Sequence, residues 1–405
     1  MQKDFHYYCI AVLAKEAGFE IGDALTIAYA SQYVDDSTEC GSIEIAGSSG
    51  KEVPIVRTAH KGIKQVLQFF ESARTEVLRP FHFIPPVPSS LSDDSFKFVT
   101  SADSVFARDI LYDAIQEKDK TLHLSRIGMA LHTYADTWAH QGFSGRQDDE
   151  NEVIIDQCSD EVLFTSDLKY HTTLTKNHSF LGIGHLLAGT CPDLPYLTWG
   201  YRYRVSMKKV DRENYEIFIL ACRRIYGYLR YALSGKEDEE LSEDTSSRIH
   251  GLFMDQPSAE DDRCEKWIAE FRDLFRDSQA IYKEDTWKRE AFVHDFNRDT
   301  FPTKDLLSVP EAYFGEDQNE INWTALDDKW NELCLKVFRE KERVIQGEAV
   351  KNIPERTKDL LDNTQIILGL VKLVPQYRTT KWYAFQRAAE IQRDLIIPKI
   401  PPENG

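Results

Sequence analysis

The stretch Gly-Met-Ala-Leu-His-Thr-Tyr-Ala-Asp-Thr-Trp-Ala-His-Gln-Gly-Phe constrains this chain more than any other, because His132, Asp136 and His140 recur every four residues within a pattern that predicts a helix. Each step of four residues turns about 40° around a helix axis, so the three side chains fall within an arc of about 80° on one face. Along the axis His132 and His140 are about 12 Å apart. One zinc with bonds of about 2.1 Å cannot take both. The spacing therefore predicts at least two metal ions, with Asp136 shared between them. The plainer alternative is a helix whose two histidines and aspartate hydrogen-bond to one another and to their neighbours.

The rest of the chain predicts an all-α protein, a helical bundle with one small β-hairpin. Helical periodicity runs over 4–17, 22–34, 61–77, 104–117, 121–139 and 213–233, then near 257–278, 322–344, 354–372 and 379–395. Gly41 to Ile45 and Glu52 to Val56 are β-type runs joined by Ala-Gly-Ser-Ser-Gly, a hairpin that would bring Asp35 or Asp36 near His60. A Pro-rich loop covers 80–90, and 141–213 reads as irregular and rich in turn formers. The acidic run at 235–244 is the predicted boundary between a catalytic domain, 1–235, and a C-terminal helical region, 236–405, packed on it.

A net charge of -18 argues against a broad grip on duplex DNA, which draws its affinity from Lys and Arg. A phosphoester docking on bound metal is not opposed by that charge, because the ion supplies the local positive field. The first residues carry Lys3, Asp4, Lys15 and Glu16 among short apolar runs, which does not make a secretory signal, and no apolar run reaches the length of a membrane span. Seven scattered cysteines without a CxxC pair read as reduced thiols. The expectation is a cytoplasmic protein.

The order G-x-x-L-H-x-x-x-D-x-x-x-H resembles the zinc-dependent phospholipase C and single-strand nuclease superfamily, over about residues 1–200. The resemblance implies a helical domain holding two or three zinc ions. It assigns His6 as the early ligand, Asp35 or Asp36 and His60 as the middle pair, His132, Asp136 and His140 as the central group, and His185 as the late ligand. Secreted members use a free N-terminal amine; this chain lacks a signal that would expose one, and Asp4 is placed to supply a carboxylate instead. The acidic residue expected one helical turn after the late histidine is Gly189 here, and Asp193 is the nearest substitute. The spacing from Asp136 to His140 fits the phospholipase-like branch better than the nuclease branch.

His171 and His178 are alternatives to His185, whereas His82, His123 and His250 read as structural. What the resemblance implies is hydrolysis of a phosphoester, in a phospholipid, a nucleotide or single-stranded nucleic acid, with Asp35 or Asp36 orienting the water and transient membrane contact as one setting. Two rival classes are weighed: a His-Asp type metal phosphohydrolase built on His294 and Asp295, and a non-catalytic helical interaction protein with one structural metal. The oligomeric state is left open.

Overall fold

The computed structural model describes residues 1–39, 41–60, 71–87, 98–164, 182–236, 240–255, 257–294, 371–400 and 402. They divide into two compact units. The first comprises Met1–Val34, Gln68–Tyr282 and Ala388–Gly405, the second Asp35–Leu67 and Lys283–Arg387.

The first unit opens with a π-helical turn, Asp4–Cys9, running into α1 (Ile10–Glu16) and then α2 (Ile21–Asp36). Helical turns over 71–81 are followed by α3 (Val105–Ile115), whose N-cap Ser104 accepts from the Ala107 amide, and α4 (His123–Ala139). Three antiparallel strands come next, β3 (Val153–Cys158), β4 (Thr198–Tyr203) and β5 (Lys209–Glu213), in the order β3-β4-β5. The long helix α5 (Asn214–Ser234) ends at Gly235 in the left-handed region, and α6 (Glu243–Phe253) and α7 (Glu260–Glu270) complete the unit. Phe5 stacks edge-on against Phe218 and in parallel with Phe253, so the opening turn is anchored in the core between α5 and α6.

Gly128 sets how closely α4 lies on α2. A Cβ there would stand 2.2 Å from the Ile27 carbonyl oxygen and 2.7 Å from the Ala30 Cβ.

The second unit holds the hairpin β1 (Gly41–Glu44) and β2 (Glu52–Ile55), α8 (Thr286–Ala291), and the pair β6 (Phe292–His294) and β7 (Val371–Leu373). Ile45 bridges to Leu373. The helix α9 (Lys381–Ile396), like α2, begins in one unit and ends in the other.

The all-α expectation is corrected by these three small sheets, which make the architecture mixed α and β. The segment 141–213, read as irregular, contains the largest of them. Trp199 and Tyr201 alternate inward on β4 and pack with Val153 and Ile155 of β3 over a cluster that includes Phe143, Leu187 and Leu197. The helices on the two sides of the acidic run at 235–244, α5, α6 and α7, lie in the same unit. The helix expected at 322–344, most of 354–372, and residues 61–70, His171, His178 and Asp295 lie outside the described residues. Among the described residues no helix is long and apolar enough to cross a membrane.

Candidate metal centre

The α4 face does what the helical spacing requires: His132, Asp136 and His140 are all buried on it, and His140 is its C-cap. Gly142, at φ +91°, turns the chain sharply after the cap, where a Cβ would meet the Tyr203 and Tyr201 hydroxyls at 2.7 and 2.9 Å. The buried Arg212 guanidinium donates to the Trp138 and Gln141 carbonyls at 3.0 and 3.2 Å, neutralising the negative end of the helix beside His140.

Asp136 is the hub. Its Oδ1 lies 2.9 Å from the Met1 amine and 3.2 Å from His6 Nε2; its Oδ2 lies 3.1 Å from His82 Nδ1 and 3.3 Å from His132 Nε2. His82 Nδ1 and His132 Nε2 are themselves 3.2 Å apart. These three atoms form a triangle with edges of 3.1, 3.2 and 3.3 Å. Ligands on one zinc, at bonds of about 2.05 Å and tetrahedral angles, stand about 3.3 Å apart. His6 Nε2, though 3.2 Å from the carboxylate, is not aligned to hydrogen-bond with it.

A second group forms on Asp193, in the 3₁₀ turn Cys191–Asp193. Its Oδ1 lies 3.1 Å from His140 Nε2 and 3.0 Å from the Met1 amine, and its Oδ2 lies 3.5 Å from His185 Nε2. The far nitrogens are tied down. His140 Nδ1 is 3.0 Å from the His82 carbonyl oxygen and His185 Nδ1 is 2.8 Å from the Gly189 carbonyl oxygen. A carbonyl only accepts, so both Nδ1 atoms carry the proton. In His185, which burial keeps neutral, Nε2 then presents a lone pair toward the Asp193 carboxylate, an arrangement that a cation between them would satisfy. A histidine held by a backbone carbonyl on one nitrogen and offering the other is the usual dress of a metal ligand.

Burial drives the His185 imidazole down to about 4, so the ring is neutral at pH 7. Burial likewise lowers His6 well below its ordinary range, helped by the His132 and amine charges. Burial alone would raise the Asp136 and Asp193 carboxyls. Neighbouring imidazoles and the amine overcome it, and both stay well below the usual carboxylate range.

Of the residues singled out in the sequence, His6, His132, Asp136, His140, His185 and Asp193 are thus brought together. Asp4 is not: its carboxylate takes a 2.6 Å ion pair from buried Arg263, which also donates to the Ser258 carbonyl. The nitrogen of Met1 occupies the place proposed for Asp4, because the π-turn folds the first residues back onto α4. Asp35, in the last turn of α2, offers a carboxylate oxygen within 4.8 Å of ligand atoms of His6 and His132. Asp36 and His60 belong to the second unit, where the Ser37 carbonyl accepts from the Thr58 and Ala59 amides at 3.0 and 3.4 Å and closes the base of the hairpin. His123 and His250 face the Ile115 carbonyl and Glu216.

His82 is the residue of the cluster that the sequence did not single out as a ligand. Taken as structural, it supplies both a ring nitrogen to the Asp136 group and the carbonyl that orients His140. Its position between Phe81 and Phe83 in a Pro-flanked segment carries no periodic signal. It lies in the Pro-rich loop read at 80–90, 50 residues before His132, and nothing local ties the two together. Phe83 adds to the site by stacking on His140 at 4.7 Å between ring centroids, interplanar angle 20°.

No curated protein and no solved structure matches the chain. Residues 1–400 match the model of one family, and the chain belongs to it: the family of unknown function DUF6765.

Proposed function

We propose that this protein is a metal-dependent phosphoester hydrolase with a zinc cluster on the α4 face. The observation that carries the reading is the pair His140 and His185, each with its Nδ1 proton committed to a backbone carbonyl and its Nε2 turned to the Asp193 carboxylate. Nitrogen and carboxylate donors of this kind suit zinc. His140, His185 and Asp193 would hold one ion, and His82, His132 and Asp136 Oδ2 another. His6, with the Met1 nitrogen and Asp136 Oδ1 beside it, offers a third position.

Zinc held there supplies a Lewis acid and a water that ionises near pH 7, the chemistry that phosphoester hydrolysis needs. The chain's own part is positional. Asp136 divides its two oxygens between two groups of nitrogens, which fixes their separation to the width of a carboxylate. The Gly189 and His82 carbonyls fix the ring orientations, and Phe83 covers one face of His140 against water. A substrate phosphate would be drawn to the ions themselves, which accounts for an acidic chain acting on an anion.

The test is elemental analysis of the full chain purified without a His tag, together with hydrolysis of bis(p-nitrophenyl) phosphate with and without 1,10-phenanthroline. Two or more zinc per chain, about one fewer in Asp193→Asn and in His82→Ala, and chelator-sensitive turnover are expected. One tightly held metal with no turnover would replace the proposal with a structural site in an interaction protein. No metal would end it.

A further inference from the structure

We propose that the tip of the β4–β5 hairpin docks on an anionic phospholipid surface. The inference starts from turn chemistry. The tip is closed by the Tyr203 amide on the Lys208 carbonyl at 3.0 Å and the Met207 amide on the Tyr203 carbonyl at 2.9 Å. Met207 sits at φ +55°. Gly, Asn or Asp adopt that conformation most cheaply, and a long apolar side chain gains nothing from it locally. Yet Met207 is 54% exposed, and Val205, two residues before it, is 71% exposed. Two apolar side chains thus stand out into solvent from a turn whose backbone favours small polar ones.

The charge around them is as distinctive. From Arg202 to Lys209 there are four cations and no anion, in a chain whose net charge is -18. Arg202 and Arg204 are paired with Asp156 and Glu152 at 3.4 and 3.3 Å. Lys208 and Lys209 are exposed and have no acidic partner among the described residues. An apolar pair flanked by free lysines matches the layering of an anionic membrane, where acyl chains take the apolar side chains and headgroup phosphates take the ammonium groups. An acidic or apolar protein partner would match only one half of that pattern.

The hairpin is also tied to the end of α4. The Tyr203 hydroxyl donates to the Gly142 carbonyl at 3.0 Å, and Arg212 holds the Trp138 and Gln141 carbonyls. Tyr203 is the last residue of β4, so only the turn itself lies between it and the tip. Docking would therefore bring a lipid surface close to the α4 terminus. The inference does not rest on the hydrolase reading, because its readout is binding.

The experiment is flotation of the full chain with vesicles of phosphatidylcholine alone or mixed with phosphatidylglycerol, in about 0.1 M salt, where charges are felt over about 10 Å. Flotation is expected with the anionic vesicles only. Lys208→Ala and Lys209→Ala should each weaken it about fivefold. The double variant Val205→Ser with Met207→Ser should weaken it about tenfold with an unchanged melting temperature. A tryptophan reporter, Met207→Trp, should shift to shorter emission wavelength on the same vesicles. If the wild type stays in the aqueous layer, or the lysine and the apolar variants all float as well as it does, the proposal is wrong.

Discussion

Replacing Gly128 by alanine tests whether the packing of α4 on α2 and the geometry of the histidine cluster are one property. The added methyl would lie 2.2 Å from the Ile27 carbonyl oxygen and 2.7 Å from the Ala30 Cβ. Ordinary contacts at those atoms are about 3.3 Å or more, so the two helices must separate by about 1 Å. Neither neighbour is the end of a flexible side chain. Overpacking of this kind costs about 3 kcal/mol, and the better helix propensity of alanine returns about 1 kcal/mol, leaving a net loss of about 2 kcal/mol. At about 1–2 °C per kcal/mol for a chain of this length, the melting temperature should fall by about 2–4 °C. His132, Asp136 and His140 all ride on α4, whereas His82 and Asp193 come from elsewhere, so the same displacement should open the 3.1–3.3 Å triangle and lower the metal content. Gly227→Ala in α5 and Gly251→Ala in α6, whose new methyls meet nothing within 4 Å, are the controls, and each should stabilise slightly. Calorimetry and elemental analysis on the three variants decide the matter. A Gly128→Ala protein that melts like the wild type and keeps its metal would refute the coupling.

Two further outcomes follow from the buried charges. Arg263→Ala leaves the Asp4 carboxylate buried without its 2.6 Å partner and should cost about 3–5 kcal/mol, while Arg263→Met combined with Asp4→Leu should recover most of it; urea melts that rank the double variant below the single one would contradict this. In protein stripped of metal by EDTA, His185 titrates near 4 folded and near 6.5 unfolded, so the unfolded chain binds the extra proton between those values. Stability should then be full above about pH 6.5 and fall by about 3 kcal/mol as the pH drops to 4, a slope absent in His185→Gln. Parallel pH profiles for the two proteins would show that the ring is not held neutral.

Much of the helical framework was legible because helical periodicity is a local property. The run of apolar residues around His132, Asp136 and His140 predicts α4 nearly to its ends, and α5 at 213–233 is read as readily. The three-stranded sheet was not legible. Its strands are short, Gly200 interrupts β4, and β3 carries a bulge between Ile155 and Gln157 that breaks the two-residue alternation. Asp193 was legible as the nearest acid after Gly189, but the turn that aims it at His140 was not.

What the sequence by itself determined is that one helix presents two histidines and an aspartate on one face, because side chains four residues apart on a helix have no other choice. What only the tertiary structure decided is what meets them. His82 reaches Asp136 from 54 positions away, and the Met1 nitrogen from 135. The carbonyls of His82 and Gly189 choose which ring nitrogens of His140 and His185 carry protons. Those contacts depend on how separate elements pack, and no periodicity in the chain encodes them. Asp4 shows the same limit: its spacing before His6 pointed to the cluster, but the proximity of Arg263, 259 residues on, turned its carboxylate into a buried ion pair.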